Sequence, residues 1–257
     1  MKETRRAVGE NGEEIALQLA LPEIATDRAI LYMHGFGSSQ EGDKADFFRH
    51  RALAAGLAFC SFDFRAHGQS DGSFLDLSLG RNLEDIAVAE SFLGEHGFSR
   101  RVLFGSSMGG ASAIWYAAQN PAAAEAGLFI APALELASGL RAYAGEEGME
   151  RWRREGRLRF ATELVECELG WHLYEDLLRH PTADLLGRYR LPSLIFQGKH
   201  DLSVDWRDVL AFVRDCEFEE LELHLFADGD HRLVDRLDQL WDQALVFLRS
   251  RSLLAGC

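Results

Sequence analysis

The sequence predicts an α/β fold: a parallel or mostly parallel central sheet of about eight strands with helices on both faces. Two patterns carry this reading. Short apolar β-like runs alternate with longer amphipathic runs along most of the chain, the mark of strand–helix–strand crossovers. The run Ala29-Ile30-Leu31-Tyr32-Met33 is apolar throughout, as expected of a strand covered on both faces.

The elements follow in order. Residues 5–21 read as one or two leading strands with a turn at Asn11-Gly12. After the strand at 29–33 come a helix at about 43–55, a strand over Leu57–Phe64 and a helix at about 79–95. The strand Arg101-Val102-Leu103-Phe104 leads into a helix at about 108–119, which Pro121 ends, and Gly127–Ala131 is the next strand. Residues 132–188 break the alternation. They are helical in composition, rich in Arg and Glu, and contain Trp152 and Trp171. Alternation resumes with Leu194–Gln197, a helix near 205–215, a strand over Leu221–Phe226 and a helix at about 236–250. The chain thus divides into a core of 1–131 and 189–257 and an insertion of 132–188. The insertion is expected to form a helical cap or lid at the carboxyl edge of the sheet; two additional packing helices are the plainer alternative.

At 257 residues the chain can bury a substantial core, and its formal net charge is −14. That charge argues against nucleic acid and anionic lipid surfaces as partners, since both reward positive charge. No stretch of about 20 apolar residues predicts a membrane span. The start, Met1-Lys2-Glu3-Thr4-Arg5-Arg6, has no apolar run behind it and does not read as a signal peptide. Cys60, Cys167, Cys216 and Cys257 show no C-x-x-C spacing. Idle thiols in a reducing cytoplasm are expected, with neither a disulfide framework nor a metal site.

The chemistry centres on Gly105-Ser106-Ser107-Met108-Gly109-Gly110, a G-x-S-x-G pattern between a strand and a helix. A serine on so sharp a turn projects its hydroxyl, and Gly105 and Gly109 remove side chains that would collide there. The helix start directs free N–H groups and a positive dipole end at the same spot. A serine nucleophile needs a base, an acid to orient that base, and donors for the developing oxyanion. His231 is the candidate base, in the turn-forming Ala227-Asp228-Gly229-Asp230-His231 after the strand at 221–226. Asp201 is the candidate acid, beyond the strand that ends near Gly198. Asp205 and Asp230 compete for that role, but Asp205 sits where a helix cap is expected and Asp230 adjoins His231 itself. The candidate oxyanion donors are the amides of Met108 and of Phe36, the latter in Met33-His34-Gly35-Phe36-Gly37, with the Phe36 ring expected to line an acyl pocket. His34 is read as a structural hydrogen bonder, and Asp63-Phe64-Arg65-Ala66-His67-Gly68-Gln69-Ser70 as a brace for neighbouring loops.

The order Ser107, Asp201, His231, together with the His34-Gly35-Phe36 and Asp63–Ser70 segments, resembles the α/β-hydrolase superfamily over nearly the whole chain. The elbow with Asp230-His231-Arg232-Leu233 is similar to the small acyl-protein thioesterase and acyl-glucuronide esterase group. His34-Gly35-Phe36 with Phe62–Gly72 also resembles bacterial cinnamoyl (feruloyl) esterases. The resemblance implies a cofactor-free serine hydrolase of carboxylic esters or thioesters. Its triad would be Ser107, His231 and Asp201, with Phe36 and Met108 as amide donors. A prolyl-oligopeptidase-like peptidase, a C–C bond hydrolase and a non-catalytic binding protein of the same fold are the alternatives. Trp152 and Trp171 are candidate walls of the substrate pocket, or equally packing between lid and body, the commoner use of Trp. The arginines of Arg151–Arg159 read as a solvated helix face paired with Glu146, Glu147 and Glu150, or as a fork for a carboxylated substrate.

Overall fold

The structure, a computed structural model, describes residues 2–8, 12–162 and 165–254. Strands β1 (Lys2–Val8) and β2 (Glu14–Ala20) pair antiparallel, and Asn11 of the expected turn lies outside the described residues. There follow β3 (Arg28–Met33), α1 (Asp43–Ala54), β4 (Ala58–Phe62), α2 (Leu79–Glu95), β5 (Arg100–Ser106), α3 (Met108–Gln119) and β6 (Ala126–Ile130). After residues 132–188 come β9 (Ser193–Gly198), α7 (Trp206–Asp215), β10 (Leu221–Phe226) and α8 (Leu237–Ser250).

The eight strands form one sheet in the order β1-β2-β4-β3-β5-β6-β9-β10, parallel from β4 to β10. Period-2 alternation divides β3 between two cores. Ala29, Leu31 and Met33 join one cluster with α2, α3 and α7, while Ile30 and Tyr32 join the other with α1 and α8. Both faces are covered, which is why the strand is apolar from Ala29 to Met33. From β3 the chain runs first to β4 on one side and then to β5 on the other. The carboxyl ends of β3 and β5 therefore flank the point where strand order reverses, the usual place for a site in an open α/β sheet.

Residues 132–188 are not helical throughout. They hold α4 (Leu136–Glu155), β7 (Arg157–Ala161), β8 (Glu166–Gly170), α5 (Trp171–Leu178) and the short α6 (Ala183–Leu186). Helix α4 stops at Gly156, which takes the left-handed conformation (φ +76°), and the chain turns into an antiparallel β7–β8 pair. Alternation explains the strands: Leu158 and Phe160 are partly buried, whereas Arg157, Arg159 and Ala161 are exposed. The arginine cluster is accordingly split between a helix and a strand, all five side chains on exposed residues. Its partners are Glu155 for Arg154, Glu166 for Arg159 and Glu168 for Arg157, in place of the helical pairs expected. Cross-strand charge pairs of this kind are screened by water.

Candidate active site

Ser107 adopts φ +54° and ψ −118°, a strained backbone for a residue with a side chain. Three hydrogen bonds hold it there. Its N–H donates to Ile130 O (2.8 Å), and its carbonyl accepts from Ala111 N (3.0 Å) and Ala133 N (3.1 Å). The flanking glycines are steric necessities. A Cβ on Gly105 would lie 2.5 Å from Gly109 O, and one on Gly109 would lie 2.4 Å from the carbonyl oxygens of both Met33 and His34. The elbow is thereby pressed against the end of β3.

His231 Nδ1 donates to Asp201 Oδ2 at 2.7 Å, which leaves the Nε2 lone pair to accept the Ser107 hydroxyl at 3.1 Å. The imidazole is about one-quarter exposed, while the Asp201 carboxylate is fully buried. Asp201 Oδ1 accepts from the amides of Ser203 and Val204 (both 2.8 Å), and Oδ2 also accepts from Gln197 Nε2 (3.0 Å). Burial alone would raise its pKa, but the His231 hydrogen bond, the His231 charge and the two amides bring it below the usual value. The competing acids do other work. Asp205 caps α7 by accepting from Arg207 N (2.9 Å), and Asp230 shapes its own loop by accepting from Arg232 N (3.0 Å) and Leu233 N (2.7 Å).

Gly35 passes directly beside the elbow: a Cβ there would stand 3.3 Å from Ser107 Cβ. Among the described residues, neither Phe36 N–H nor Met108 N–H donates to any protein acceptor. The Phe36 ring is partly buried among other aromatic rings. It packs against His67 (5.5 Å between centroids), Phe74 (5.4 Å) and Phe160 of β7 (5.5 Å).

His34 is fully buried, donating Nδ1–H to Gly35 O (2.8 Å) and accepting from Phe64 N at Nε2 (3.1 Å). Burial lowers its pKa to about 4. The brace is built from charge. Asp63 accepts from Gln40 N (2.7 Å), Gln40 Nε2 (3.0 Å) and Gln69 N (2.9 Å). Arg65 bonds Asp85 (2.5 Å), Glu84 (2.6 Å) and Glu13 (3.0 Å).

A cavity of about 160 Å³ lies beside the elbow, between α2, α3, α5 and the start of α4. Met108 and Ala133 link it to Ser107: the first is the next residue, the second donates its N–H to the serine carbonyl. Trp152 and Trp171, the candidate pocket walls, do not line it. Trp152 is fully buried, donates Nε1–H to Leu169 O (2.9 Å) and meets Trp171 edge-on at 5.4 Å. Trp171 donates to Glu175 (2.9 Å). Their large apolar faces hold α4, β8 and α5 together.

Sequence reasoning also missed Gln197 and Lys44. Lys44 Nζ donates to Ser106 Oγ at 3.0 Å, and burial lowers its pKa to about 8. Nothing in its local pattern sets Lys44 apart from a surface lysine. Among the described residues no His, Cys, Asp and Glu cluster is placed to hold a metal, and no helix is long and apolar enough to cross a membrane.

The Hydrolase_4 family profile (serine aminopeptidase, S33) matches residues 25–155, a span that includes both the Phe36 loop and the elbow. The chain belongs to this family. This Hydrolase_4 protein is 25% identical to mouse palmitoyl-protein thioesterase ABHD10, mitochondrial, over 237 residues, 85% of this chain and 75% of that one. The solved structure of mouse α/β hydrolase domain-containing protein 10 superposes with a TM-score of 0.82 at 19% identity, covering 97% of this chain and 99% of that chain. Est1E from Butyrivibrio proteoclasticus with bound ferulic acid gives 0.82 at 20% identity, covering 96% and 98%. The Hydrolase_4 chain therefore has the α/β-hydrolase fold and is an α/β serine hydrolase.

Proposed function

We propose that the protein hydrolyses carboxylic esters or thioesters through an acyl-enzyme on Ser107. The observation that carries this reading is the continuous relay Ser107 Oγ to His231 Nε2 to Asp201 Oδ2, together with two amides that have no protein acceptor among the described residues. His231 takes the hydroxyl proton as Ser107 attacks the acyl carbonyl, and Asp201 holds the imidazole tautomer and stabilises the imidazolium. The amides of Phe36 and Met108 receive the oxyanion. His231 then gives its proton to the departing alcohol or thiol, and water repeats the cycle to release the acid. No cofactor enters these steps. The names of the mouse thioesterase and of the Butyrivibrio protein support acyl transfer of this kind.

Residues 132–188 act in this reading as a cap. Phe160 supports it by packing on Phe36, and Leu173 and Leu177 by walling the cavity. The unpaired thiols of Cys60, Cys167 and Cys216 support a reducing compartment such as the cytoplasm. Amide cleavage is a second reading. The family description favours it, and Glu135 at the cavity wall is a carboxylate able to hold a free amine.

A fluorophosphonate probe tests the main proposal. Labelling of Ser107 is expected in the native protein and not in Ser107→Ala, which should lose on the order of 10⁶ in kcat toward p-nitrophenyl esters. Native protein that takes no label and turns over no ester would overturn it. Turnover of aminoacyl p-nitroanilides above that of esters would favour the second reading.

A further inference from the structure

We propose that the cavity beside α3 receives the acyl group, and that Asn82 and Ser112 select short acyl groups bearing a hydroxyl at their far end; this rests on the hydrolase reading above. The cavity is organised along one stripe of α3. Met108, Ala111, Ser112 and Trp115 follow i, i+3, i+4, i+7 spacing, and all four line it. Position along the helix therefore measures depth. Met108 adjoins the nucleophile, and Ser112 lies five residues beyond Ser107, about 7 Å along the axis at the usual rise.

The rest of the wall is largely apolar, with Leu79, Leu134, Leu173 and Leu177 facing in. Glu135, Ser138, His180 and Thr182 also line it but are partly buried or exposed, whereas the Asn82–Ser112 pair is buried. Both residues line the cavity, both are more than nine-tenths buried, and Asn82 Nδ2 donates to Ser112 Oγ at 3.1 Å. One hydrogen bond does not exhaust the pair. The Ser112 hydroxyl proton is a donor and Asn82 Oδ1 an acceptor, and among the described residues neither is hydrogen-bonded to protein. A donor and an acceptor side by side suit a hydroxyl, which both accepts and donates.

Size sets the rest of the class. A cavity of about 160 Å³ is close to the roughly 150 Å³ that takes up a benzene ring, about six carbons. A wholly apolar guest of that size would strip water from the pair and return nothing, the arrangement by which buried polar groups reject an analogue lacking the matching group.

The test compares p-nitrophenyl 6-hydroxyhexanoate with p-nitrophenyl hexanoate. The native protein should prefer the hydroxylated ester by about tenfold or more in kcat/KM. Ser112→Ala and Asn82→Leu should each bring that ratio down toward one. Should Asn82→Leu not fold, Ser112→Ala, which removes a single oxygen, still carries the comparison. A pair that only joins α2 to α3 would change both substrates in parallel and leave the ratio alone. A native ratio at or below one, or a ratio unmoved by substitution, overturns the assignment while ester turnover persists. No turnover of either ester, with no labelling of Ser107, overturns the hydrolase reading and this one with it.

Discussion

Gly198 and Gly229 cross so closely that a Cβ on the first would lie 2.3 Å from the carbonyl oxygen of the second, and 2.5 Å from that of Asp230. The contact brings the loop carrying His231 over the end of β9, where Asp201 begins. His200 N donates to Gly229 O (2.8 Å) and Lys199 N to Phe226 O (2.9 Å), tying the two loops together. Gly198→Ala should push backbone against backbone, costing on the order of 1–3 kcal/mol of stability. Ester turnover should fall at least tenfold through displacement of His231. A thermal melt and a kcat/KM measurement check both, and native-like turnover would show that the crossing does not position the histidine.

Asp201→Asn should keep the fold, because the side-chain oxygen can still accept from Ser203 N and Val204 N. It should cost on the order of 10⁴ in kcat, since an amide N–H directed at Nδ1 favours the wrong imidazole tautomer. A loss below tenfold, measured with p-nitrophenyl esters, would remove Asp201 from the relay.

Arg65→Met should be one of the more damaging single changes away from Ser107. Asp85 is fully buried and loses its cation, while Glu13 and Glu84 lose a shared partner. Stranding one charge of a buried pair costs on the order of 3–5 kcal/mol. A lower urea midpoint with an unchanged m-value is expected. A midpoint equal to that of the native protein would mean that the brace adds no stability.

Acid should destabilise the fold below pH 6.5, with Asp85, whose pKa burial raises to about 6, offsetting part of the loss. Burial holds the His34 pKa near 4, and burial together with the His34 charge holds His67 near 3. In the unfolded chain both titrate near 6.5. As pH falls below 6.5 the unfolded state takes up protons that the native state refuses. Each histidine then removes about 1.4 kcal/mol per pH unit until its own folded pKa is reached. Urea midpoints at pH 7, 6 and 5 should fall steadily, and His67→Gln should flatten the slope. Midpoints constant over that range would contradict neutral burial of the pair.

The core was readable because its signals are local or periodic. The β3 run, the elbow glycines and the Ser107, Asp201, His231 order each correspond to an element or contact in the structure. The strand read as Leu57–Phe64 ends instead at Phe62, because Asp63 turns inward to three donors that no local pattern announces. The β7–β8 pair was hidden by composition. Arg and Glu raise helix propensity, and five-residue strands give alternation little length in which to declare itself. The tryptophans left two readings open for a related reason: a large apolar side chain fits a core as well as a pocket, and only packing decides. Asn82 and Ser112 lie 30 residues apart in sequence, and nothing short of the α2–α3 contact joins them.

Phe160 touches the ring of the residue whose amide is a proposed oxyanion donor. The inserted segment and the loop after β3 are therefore not independent modules. Grafting residues 132–188 from a relative would exchange the neighbour of Phe36 along with the wall of the cavity. A chimera would need its Phe160 equivalent matched to Phe36, His67 and Phe74 before any change in substrate range could be credited to the graft.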